Sequence, residues 1–253
     1  MNCLHPIMIE VAPKFFLPCP CGKCVLCLGN KRSEWSLRME LEQRYSDYTA
    51  FVTLTYDDAN LPMLDDDTGV SVLSKSDVQK WLKRFRKELA KYGISVRYYV
   101  AGEYGETYQR PHYHALLFFK DGENGNVIWK TPAIIQNAVV SSWNLGIVDF
   151  QAAQTQGASM YAAKYVMKSE DDFTQYMKQI GYPQFSLKSQ GLGKDYIQQN
   201  ASWYHTPSRE PKLYVPWKGA KLPMPRYFKN KLFPRDSKLT NRELEELNER
   251  LFA

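Results

Sequence analysis

Three side chains near the middle of the sequence have the types and the spacing of a metal site. His112 and His114 are two residues apart in an aromatic stretch that predicts a strand, so both imidazoles point to one face while Tyr113 points to the other. Residues 95–100 predict a second strand, and turn-forming residues separate the two. A hairpin that pairs Glu103 with His112 brings the carboxylate to the same face. Two histidines and one carboxylate with open coordination positions bind and polarise a substrate oxygen.

Alternatives to this site stay open at the level of the residues. The two histidines could be half-buried side chains whose hydrogen bonds are satisfied within an aromatic strand. Glu106, three residues further into the turn, is the rival third ligand, and its direction depends on the loop. The chain has four histidines. The other two, His5 and His205, have no comparable neighbours, and we assign them no catalytic part.

A second group of candidate ligands lies near the N-terminus. Cys21, Cys24 and Cys27 form two overlapping CxxC spacings, which are tight enough for three thiolates to meet one ion. Cys3 is the natural fourth ligand. Four cysteines in a tetrahedron are the usual structural zinc site, which leaves no position open for catalysis. The sequence therefore predicts a structural Zn²⁺ knot.

The zinc interpretation also has alternatives. Cys19 and His5 are the other candidates for the fourth ligand, and unligated or redox-active thiols are the alternative to a metal. The cysteines are odd in number and clustered, and the N-terminus lacks the apolar region of a secretory signal. Both features favour metal over disulfides in a chain that is not exported.

A pair of tyrosines is the third group that could do chemistry. Residues 155–168 predict a helix, and Tyr161 and Tyr165 lie four apart, so their phenols share one face a turn apart. Lys164 lies next to Tyr165 in the sequence. A phenol can act as a nucleophile. Taken alone, such a pair more often packs in a helix interface.

The elements that must position these groups follow a recognisable order of strand, helix, strand, strand, helix and strand. Ser74 and Asp77 form a capping box at the start of the first helix, and a proline opens the second. The order is that of the split βαβ, ferredoxin-like α+β fold, an antiparallel sheet in which the first and third strands are central neighbours. The predicted elements are strand 48–56, helix 74–92, strands 95–100 and 112–119, helix 132–143 and strand 147–150.

The charge of the chain points to a phosphate-rich partner. The formal net charge is +6 and the pI is about 8.9. Lys80, Lys83, Arg84 and Lys87 crowd the face of the predicted helix 74–92 that its apolar residues leave free, and we expect them to bind DNA together with Lys168. A solvated charged face is the alternative for such a helix. No apolar run is long enough to span a bilayer, so we expect a soluble protein without a membrane partner.

The sequence divides into three predicted regions. Residues 1–45 hold the zinc knot and a basic helix that starts at Gly29, residues 46–170 hold the core, and residues 171–253 form a basic C-terminal extension. Within that extension, residues 203–238 are rich in proline, lysine, arginine and aromatics with little periodicity, which predicts an extended segment. A final helix is predicted from Thr240.

Three short motifs resemble a known family. The sequences Phe51-Val-Thr-Leu-Thr-Tyr56, Pro111-His-Tyr-His114 and Tyr161-x-x-x-Tyr165 occur in the order of the motifs of rolling-circle replication initiators, the HUH endonucleases. The N-terminal cysteine cluster and residues 161–168 further resemble the initiators of small single-stranded DNA phages, of the microvirus type and especially its gokushovirus branch. The resemblance covers most of residues 1–230.

This resemblance implies a metal-dependent nickase of single-stranded DNA. His112, His114 and Glu103 would hold Mg²⁺ or Mn²⁺, and Tyr161 or Tyr165 would attack a phosphodiester to give a 5′-phosphotyrosyl link and a free 3′-OH. Lys164 would lower the phenol's pKa or stabilise its developing charge.

It further implies the partners and the place of action. These would be a viral DNA origin, single-stranded or supercoiled, with the host replication helicase and polymerase, in the cytoplasm of the infected bacterial host. Three competing functions remain: a non-catalytic nucleic-acid-binding domain, an HUH transposase or relaxase, and a hydrolase that uses water.

Overall fold

The structure is a computed structural model that describes residues 3–12, 14–65, 67–122, 131–153, 171–206 and 212–233. These residues fall into two compact units, one within Met1–Glu34 and Ile197–Ala253 and the other within Trp35–Tyr196. Both boundaries lie inside helices. The division of the chain at residues 45 and 170 stays a prediction.

The helices and strands of the described residues alternate along most of the chain. In chain order they are β1 (Ile7–Ala12), β2 (Phe15–Cys19), α1 (Val25–Arg44), β3 (Tyr48–Thr55), α2 (Lys75–Ala90), β4 (Ser95–Tyr104), β5 (Pro111–Lys120), α3 (Thr131–Ser142), β6 (Val148–Ala152), α4 (Asp172–Gln179), β7 (Phe185–Lys188), α5 (Lys194–His205), β8 (Tyr214–Trp217), β9 (Ala220–Pro223) and α6 (Arg226–Leu232).

The larger unit is built on an antiparallel sheet of five strands, in the order β6-β3-β5-β4-β7. The elements β3, α2, β4, β5, α3 and β6 follow one another as the split βαβ pattern requires, and β3 and β5 are central neighbours. The predicted α+β, ferredoxin-like fold is therefore confirmed. Strand β7, which extends the sheet beyond β4, was not predicted, and neither were α4 and α5.

Helix α2 forms where the sequence signals place it. The hydroxyl of Ser74 accepts a hydrogen bond from the backbone N–H of Asp77 at 3.2 Å, which satisfies one of the free donors at the helix start. Gly93 follows the helix with a φ of +72°, a conformation that glycine adopts without strain. Its apolar residues are spaced along one face, and all are buried: Val78, Trp81, Leu82, Phe85 and Leu89.

The two faces of the sheet carry different layers. Alternate residues of β3 and β5, including Val52, Leu54 and Tyr113, pack with α2 and α3 in the main core. The residues between them point to the other face, where Leu116 and Phe118 pack against Met39 of α1. Each fully buried aliphatic or aromatic side chain contributes roughly 1.5–3 kcal/mol relative to exposure. Histidines 112 and 114, in phase with Leu116, therefore lie on the face opposite to α2.

A buried ionic network attaches α1 and the start of α5 to this second face. Nη1 of Arg97 lies 2.7 Å from Oε1 of Glu42 and 3.2 Å from Oδ2 of Asp195. The backbone N–H of Gly193 donates to the other oxygen of Glu42 at 2.6 Å. Burial raises the pKa of Glu42 above its ordinary value, while the N–H and Arg97 oppose that shift.

The smaller unit contains two antiparallel hairpins, β1–β2 and β8–β9. The expectation of an extended segment over residues 203–238 is wrong for its described part, because α5 continues to His205 and residues 214–232 form a hairpin and a helix. Lys218 and Gly219 adopt φ of +48° and +78°, the paired positive values of a tight hairpin turn. Helix α1 begins at Val25, earlier than the predicted Gly29.

Two predicted helices, over residues 155–168 and from Thr240, lie outside the described residues. Within the described part of the chain, every helix is too short or too polar to cross a bilayer.

Candidate functional site: two histidines and a glutamate on the sheet

Strand register brings the predicted ligands together. Glu103 of β4 is paired directly with His112 of β5, the pairing that the sequence predicts. On the other side, Thr53 and Thr55 of β3 face His114 and His112 respectively. Because residues i and i+2 of a strand share a face, Glu103 and both imidazoles meet on the side away from α2.

The ligand atoms converge on one point. Oε1 of Glu103 lies 2.9 Å from Nε2 of His112 and 3.0 Å from Nε2 of His114. One ligand atom from each of the three residues lies within 4.8 Å of the other two. Glu103 and His114 are buried and His112 is half-buried, so the cluster opens to solvent beside His112. Glu106 is exposed in the turn and is not in this group.

The remaining ring nitrogens have partners that orient the imidazoles. Nδ1 of His112 lies 3.1 Å from the backbone oxygen of Arg110, which can only accept, so this nitrogen carries the hydrogen. Nδ1 of His114 lies 3.1 Å from the hydroxyl of Thr53. In neutral His112, Nε2 is then a lone pair facing the carboxylate oxygen of Glu103 across 2.9 Å. Two such acceptors repel unless a proton or a metal ion lies between them.

Aromatic packing fixes both histidines further. The ring of Phe51 stacks on His114, with centroids 5.6 Å apart and planes 21° apart. Tyr113, between the histidines, points into the main core, where its hydroxyl accepts from the N–H of Ser74 at 2.9 Å and lies 2.9 Å from the hydroxyl of Tyr56. Burial raises the pKa of Tyr113 to about 12. Strand β5 is thereby tied to the start of α2.

The turn before His112 is tied down by Arg110. Its guanidinium donates to Asp58 at 2.7 Å and to the backbone oxygen of Tyr56 at 2.8 Å. Its carbonyl accepts from the N–H of Gly105 at 3.0 Å in addition to facing His112. Sequence reasoning missed Arg110 and assigned Thr53 and Phe51 no part in orienting the histidines. The alternation of β3 places Thr53 and Phe51 on the histidine face, whereas nothing local marks Arg110.

The predicted nucleophiles are outside the described part of the chain. This applies to Tyr161, Tyr165 and the neighbouring Lys164, and also to Lys168 among the DNA-binding candidates. The other four candidates, Lys80, Lys83, Arg84 and Lys87, are exposed on α2. They lie in the layer on the opposite side of the sheet from the histidines.

The smaller unit holds a separate cluster of thiols. The sulfur atoms of Cys3, Cys21, Cys24 and Cys27 lie within 4.8 Å of one another. The Cys3–Cys24 and Cys21–Cys27 sulfur pairs are each 3.9 Å apart. Ligands about 2.3 Å from a tetrahedral zinc ion are about 3.8 Å apart, so the spacing fits that ion. Cys19, in β2, is not part of the group.

Backbone donors tune these thiols. The N–H of Cys27, followed by that of Leu4, lowers the pKa of Cys24 to about 6. The N–H groups of Lys23 and Cys24 lower the pKa of Cys21. A metal binds the thiolate form, so both shifts favour ligation near neutral pH.

Comparison with known proteins gives a consistent set of relatives. Residues 49–170 match the model of a family described as replication-associated protein ORF2, a range that includes Glu103, His112 and His114. The chain is 28% identical over 231 residues to the replication-associated protein VP4 of Bdellovibrio phage phiMH2K, covering 83% of this chain and 66% of the relative. It is 25% identical over 257 residues to the replication-associated protein ORF4 of Chlamydia phage 1, covering 95% and 60%.

A third relative is the replication-associated protein ORF2 of Spiroplasma virus 4, which is 27% identical over 226 residues, covering 84% of this chain and 67% of the relative. The chain thus spans 60–67% of the length of these relatives. The expected resemblance to phage replication proteins of the microvirus type is confirmed.

Proposed function

Because the chain belongs, through residues 49–170, to this family of replication-associated proteins, we propose that it initiates rolling-circle replication of a phage genome. It does so by nicking one DNA strand at the origin and later rejoining it. The observation that carries this proposal is the meeting of His112, His114 and Glu103 on one face of the central sheet. The relatives supply the link to replication, and this cluster supplies a means of breaking a phosphodiester.

The three side chains fit a divalent ion. The distances of 2.9 and 3.0 Å from Oε1 of Glu103 to the two Nε2 atoms are those of neighbouring ligands around one centre. Ligands about 2.1 Å from an octahedral ion, at right angles, are about 3.0 Å apart. Bound Mg²⁺ or Mn²⁺ would neutralise charge on a non-bridging phosphate oxygen. A carboxylate suits both ions, and the imidazoles favour the softer Mn²⁺.

The surrounding residues prepare this cluster for one task. Thr53 and the carbonyl of Arg110 hold the Nδ1 sides, so the Nε2 lone pairs of both histidines point to the same place. Burial of Glu103 and His114 keeps bulk water away from all but the His112 side. The DNA phosphate reaches the cluster from that side.

Tyr161 or Tyr165 is the nucleophile in this proposal. The phenol oxygen bonds to phosphorus while the bond from phosphorus to the 3′ oxygen breaks, and the proton that the phenol loses is balanced by the one that the 3′ oxygen gains. The product is a 5′-phosphotyrosyl link with a free 3′-OH. An unperturbed phenol has a pKa of about 10, so it needs help at neutral pH, and Lys164 stabilises the developing negative charge.

The second tyrosine allows the reaction to be reversed. After one round of copying, it attacks the regenerated junction, and the 3′-OH then displaces the first tyrosine to close a circle. No phosphodiester energy is lost to hydrolysis, because each bond broken is exchanged for another. Two phenols one helical turn apart suit this alternation.

The thiol cluster has a structural part in the proposal. Cys3, Cys21, Cys24 and Cys27 hold Zn²⁺ and stabilise a small unit that has only short hairpins among its described strands. The partners are the origin DNA and the host's replication helicase and polymerase, in the cytoplasm of the infected cell.

A covalent-adduct assay tests the nickase. The protein is incubated with Mn²⁺ and end-labelled single-stranded fragments that together cover the genome encoding it, and the products are separated on a denaturing gel. We expect a protein–DNA band that disappears with EDTA and in Tyr161→Phe/Tyr165→Phe. Tyr92→Phe, at an exposed tyrosine next to α2, is the control and keeps the band.

The same gel separates the competing functions. Cleavage without an adduct would identify a hydrolase that uses water. Binding without cleavage, measured in parallel, would identify a nucleic-acid-binding domain. Either result overturns the nickase proposal.

A further inference from the structure

The outer face of α2 is a dense basic surface. Seven cationic side chains lie between residues 75 and 91, and all of them are exposed: Lys75, Lys80, Lys83, Arg84, Arg86, Lys87 and Lys91. The same stretch holds two acids, Asp77 and Glu88, so its net charge is +5. Helix α3, which packs beside α2, has no charged residue between 131 and 142. The layer formed by the two helices is therefore strongly positive.

Part of this charge already has internal partners. Lys91 pairs with Glu88 at 2.6 Å, and Lys80 lies 4.0 Å from Asp77. Arg84 donates to the carbonyl of Ser142 at 3.0 Å and to Asn144 at 3.2 Å, an arrangement that fastens α2 to the end of α3.

The charge at the centre of the surface is uncompensated. Among the described carboxylates, none forms an ion pair with Lys83 or Lys87. Lys80, Lys83 and Lys87 are spaced three and four residues apart, so their ammonium groups share one stripe of the helix. Like charges at this spacing destabilise a helix. A row that weakens its own helix is explained if a polyanion binds along it.

The position of the row excludes a shared task with the histidines. The apolar side of α2 packs on the sheet face that carries Val52 and Tyr113, whereas His112 and His114 belong to the other face. A phosphate held at the histidines therefore cannot also contact Lys83. The basic row needs a different stretch of nucleic acid.

We propose that the outer face of α2 binds the phosphate backbone of duplex DNA, at a second surface distinct from the histidine cluster. Its identification as a DNA surface rests on the proposed function. From Lys80 to Lys87 the helix rises about 10 Å, which is enough to follow several phosphates of one strand. The surface holds the double-stranded origin region while the opposite face acts on one strand.

Duplex is favoured over single-stranded DNA by the chemistry of the helix. Proteins that bind single strands present aromatic rings on which bases stack. The aromatic residues of α2, Trp81 and Phe85, are both fully buried in the core. The exposed face offers cations and no stacking surface, which suits a backbone whose bases are already paired.

The test compares two triple variants of the whole chain. Lys80→Gln/Lys83→Gln/Lys87→Gln removes the row, and Lys194→Gln/Lys229→Gln/Lys231→Gln makes the same charge change at exposed lysines of α5 and α6. Binding to a fluorescent duplex of mixed sequence is measured by anisotropy in EDTA, over a range of salt concentrations. Thermal unfolding is followed for each protein.

We expect the α2 variant to lose at least about tenfold in affinity at low salt, and its logarithmic salt slope to fall by about 2–3, because each phosphate contact contributes about 0.9. Its melting temperature stays the same or rises, since like-charge repulsion is removed. The control triple changes the slope by less than about one. Equal losses in both variants, or a loss confined to single-stranded DNA, overturn the proposal.

The outcome is separable from that of the nickase. Binding in EDTA requires no cleavage, so a fall in the duplex slope supports the α2 surface even if no covalent adduct ever forms. Adduct formation with an unchanged duplex slope supports the nickase and rejects the surface.

Discussion

The hydroxyl of Thr53 lies 3.1 Å from Nδ1 of His114, directly opposite it across β3 and β5. This contact fixes the ring of the more buried of the two histidines with its Nε2 toward Glu103. Such outer contacts set the tautomer and direction of a ligating imidazole. A threonine in a motif 61 residues from the histidine thereby becomes part of the site.

Thr53→Val removes this hydroxyl at constant volume. We expect Mn²⁺ to bind about 10–100-fold more weakly, as is usual when an outer partner of a ligand is lost. Titration followed by electron paramagnetic resonance of free Mn²⁺ measures the affinity, and imidazole ¹⁵N shifts report the tautomer of His114 without metal. Thr53→Ser should restore both readouts.

Thr55→Val is the matched control for this prediction. Thr55 faces His112, but its hydroxyl donates to the carbonyl of Ile147 at 3.4 Å. We expect near-normal Mn²⁺ affinity. A fall as large as that of Thr53→Val would mean that the β3 threonines act through strand stability.

Glu103→Gln tests the third ligand. The carboxylate oxygen is the point on which both imidazoles converge, so its neutralisation should weaken Mn²⁺ binding by at least about tenfold and abolish the covalent adduct. Glu106→Gln, at the exposed position in the turn, should leave both unchanged. The reverse pattern would assign the metal to Glu106. Isothermal titration with Mn²⁺ and the adduct gel provide the two measurements.

The thiol cluster predicts a zinc content that depends on one cysteine and not another. Wild-type protein purified without chelator should contain one zinc per chain by inductively coupled plasma mass spectrometry. Cys3→Ser should lose most of it, because Cys3 lies 3.9 Å from Cys24 within the group. Cys19→Ser should retain it. Full zinc in Cys3→Ser would point to Cys19 or His5 as the fourth ligand.

Alkaline pH should destabilise the fold through buried phenols. Burial raises the pKa of Tyr99 from the ordinary 10 to about 12. A raised pKa in the folded state means that the stabilising contribution is complete below about pH 10 and is lost as the pH rises through about 12. Two pKa units correspond to about 3 kcal/mol.

Urea unfolding at a series of pH values measures this loss. Between about pH 9 and 12, the free energy of unfolding of the wild type should fall by about 2–3 kcal/mol more than that of Tyr99→Phe. Tyr92→Phe, at an exposed position, should follow the wild type. Parallel curves for all three proteins would show that Tyr99 does not titrate with unfolding.

Local patterns were sufficient for much of this architecture. The alternation of β5 placed His112 and His114 on one face, the capping residues Ser74 and Asp77 marked α2, and the overlapping CxxC spacing brought the thiols together. Each of these depends on a period or a turn of a few residues, which the sequence states directly. The pattern weakened after residue 170, where short strands and many prolines concealed β7, β8 and β9.

Tertiary structure decided what is distant in sequence. The sequence determined that two imidazoles and a carboxylate share a strand face, because side-chain alternation is a property of the chain itself. Which neighbours complete the site was decided by strand order and turn closure, which brought Thr53 to His114 and Asp58 to Arg110. The same packing turned the basic row of α2 away from the histidines, because an amphipathic helix must bury its apolar side on one face of the sheet, and no local pattern states which.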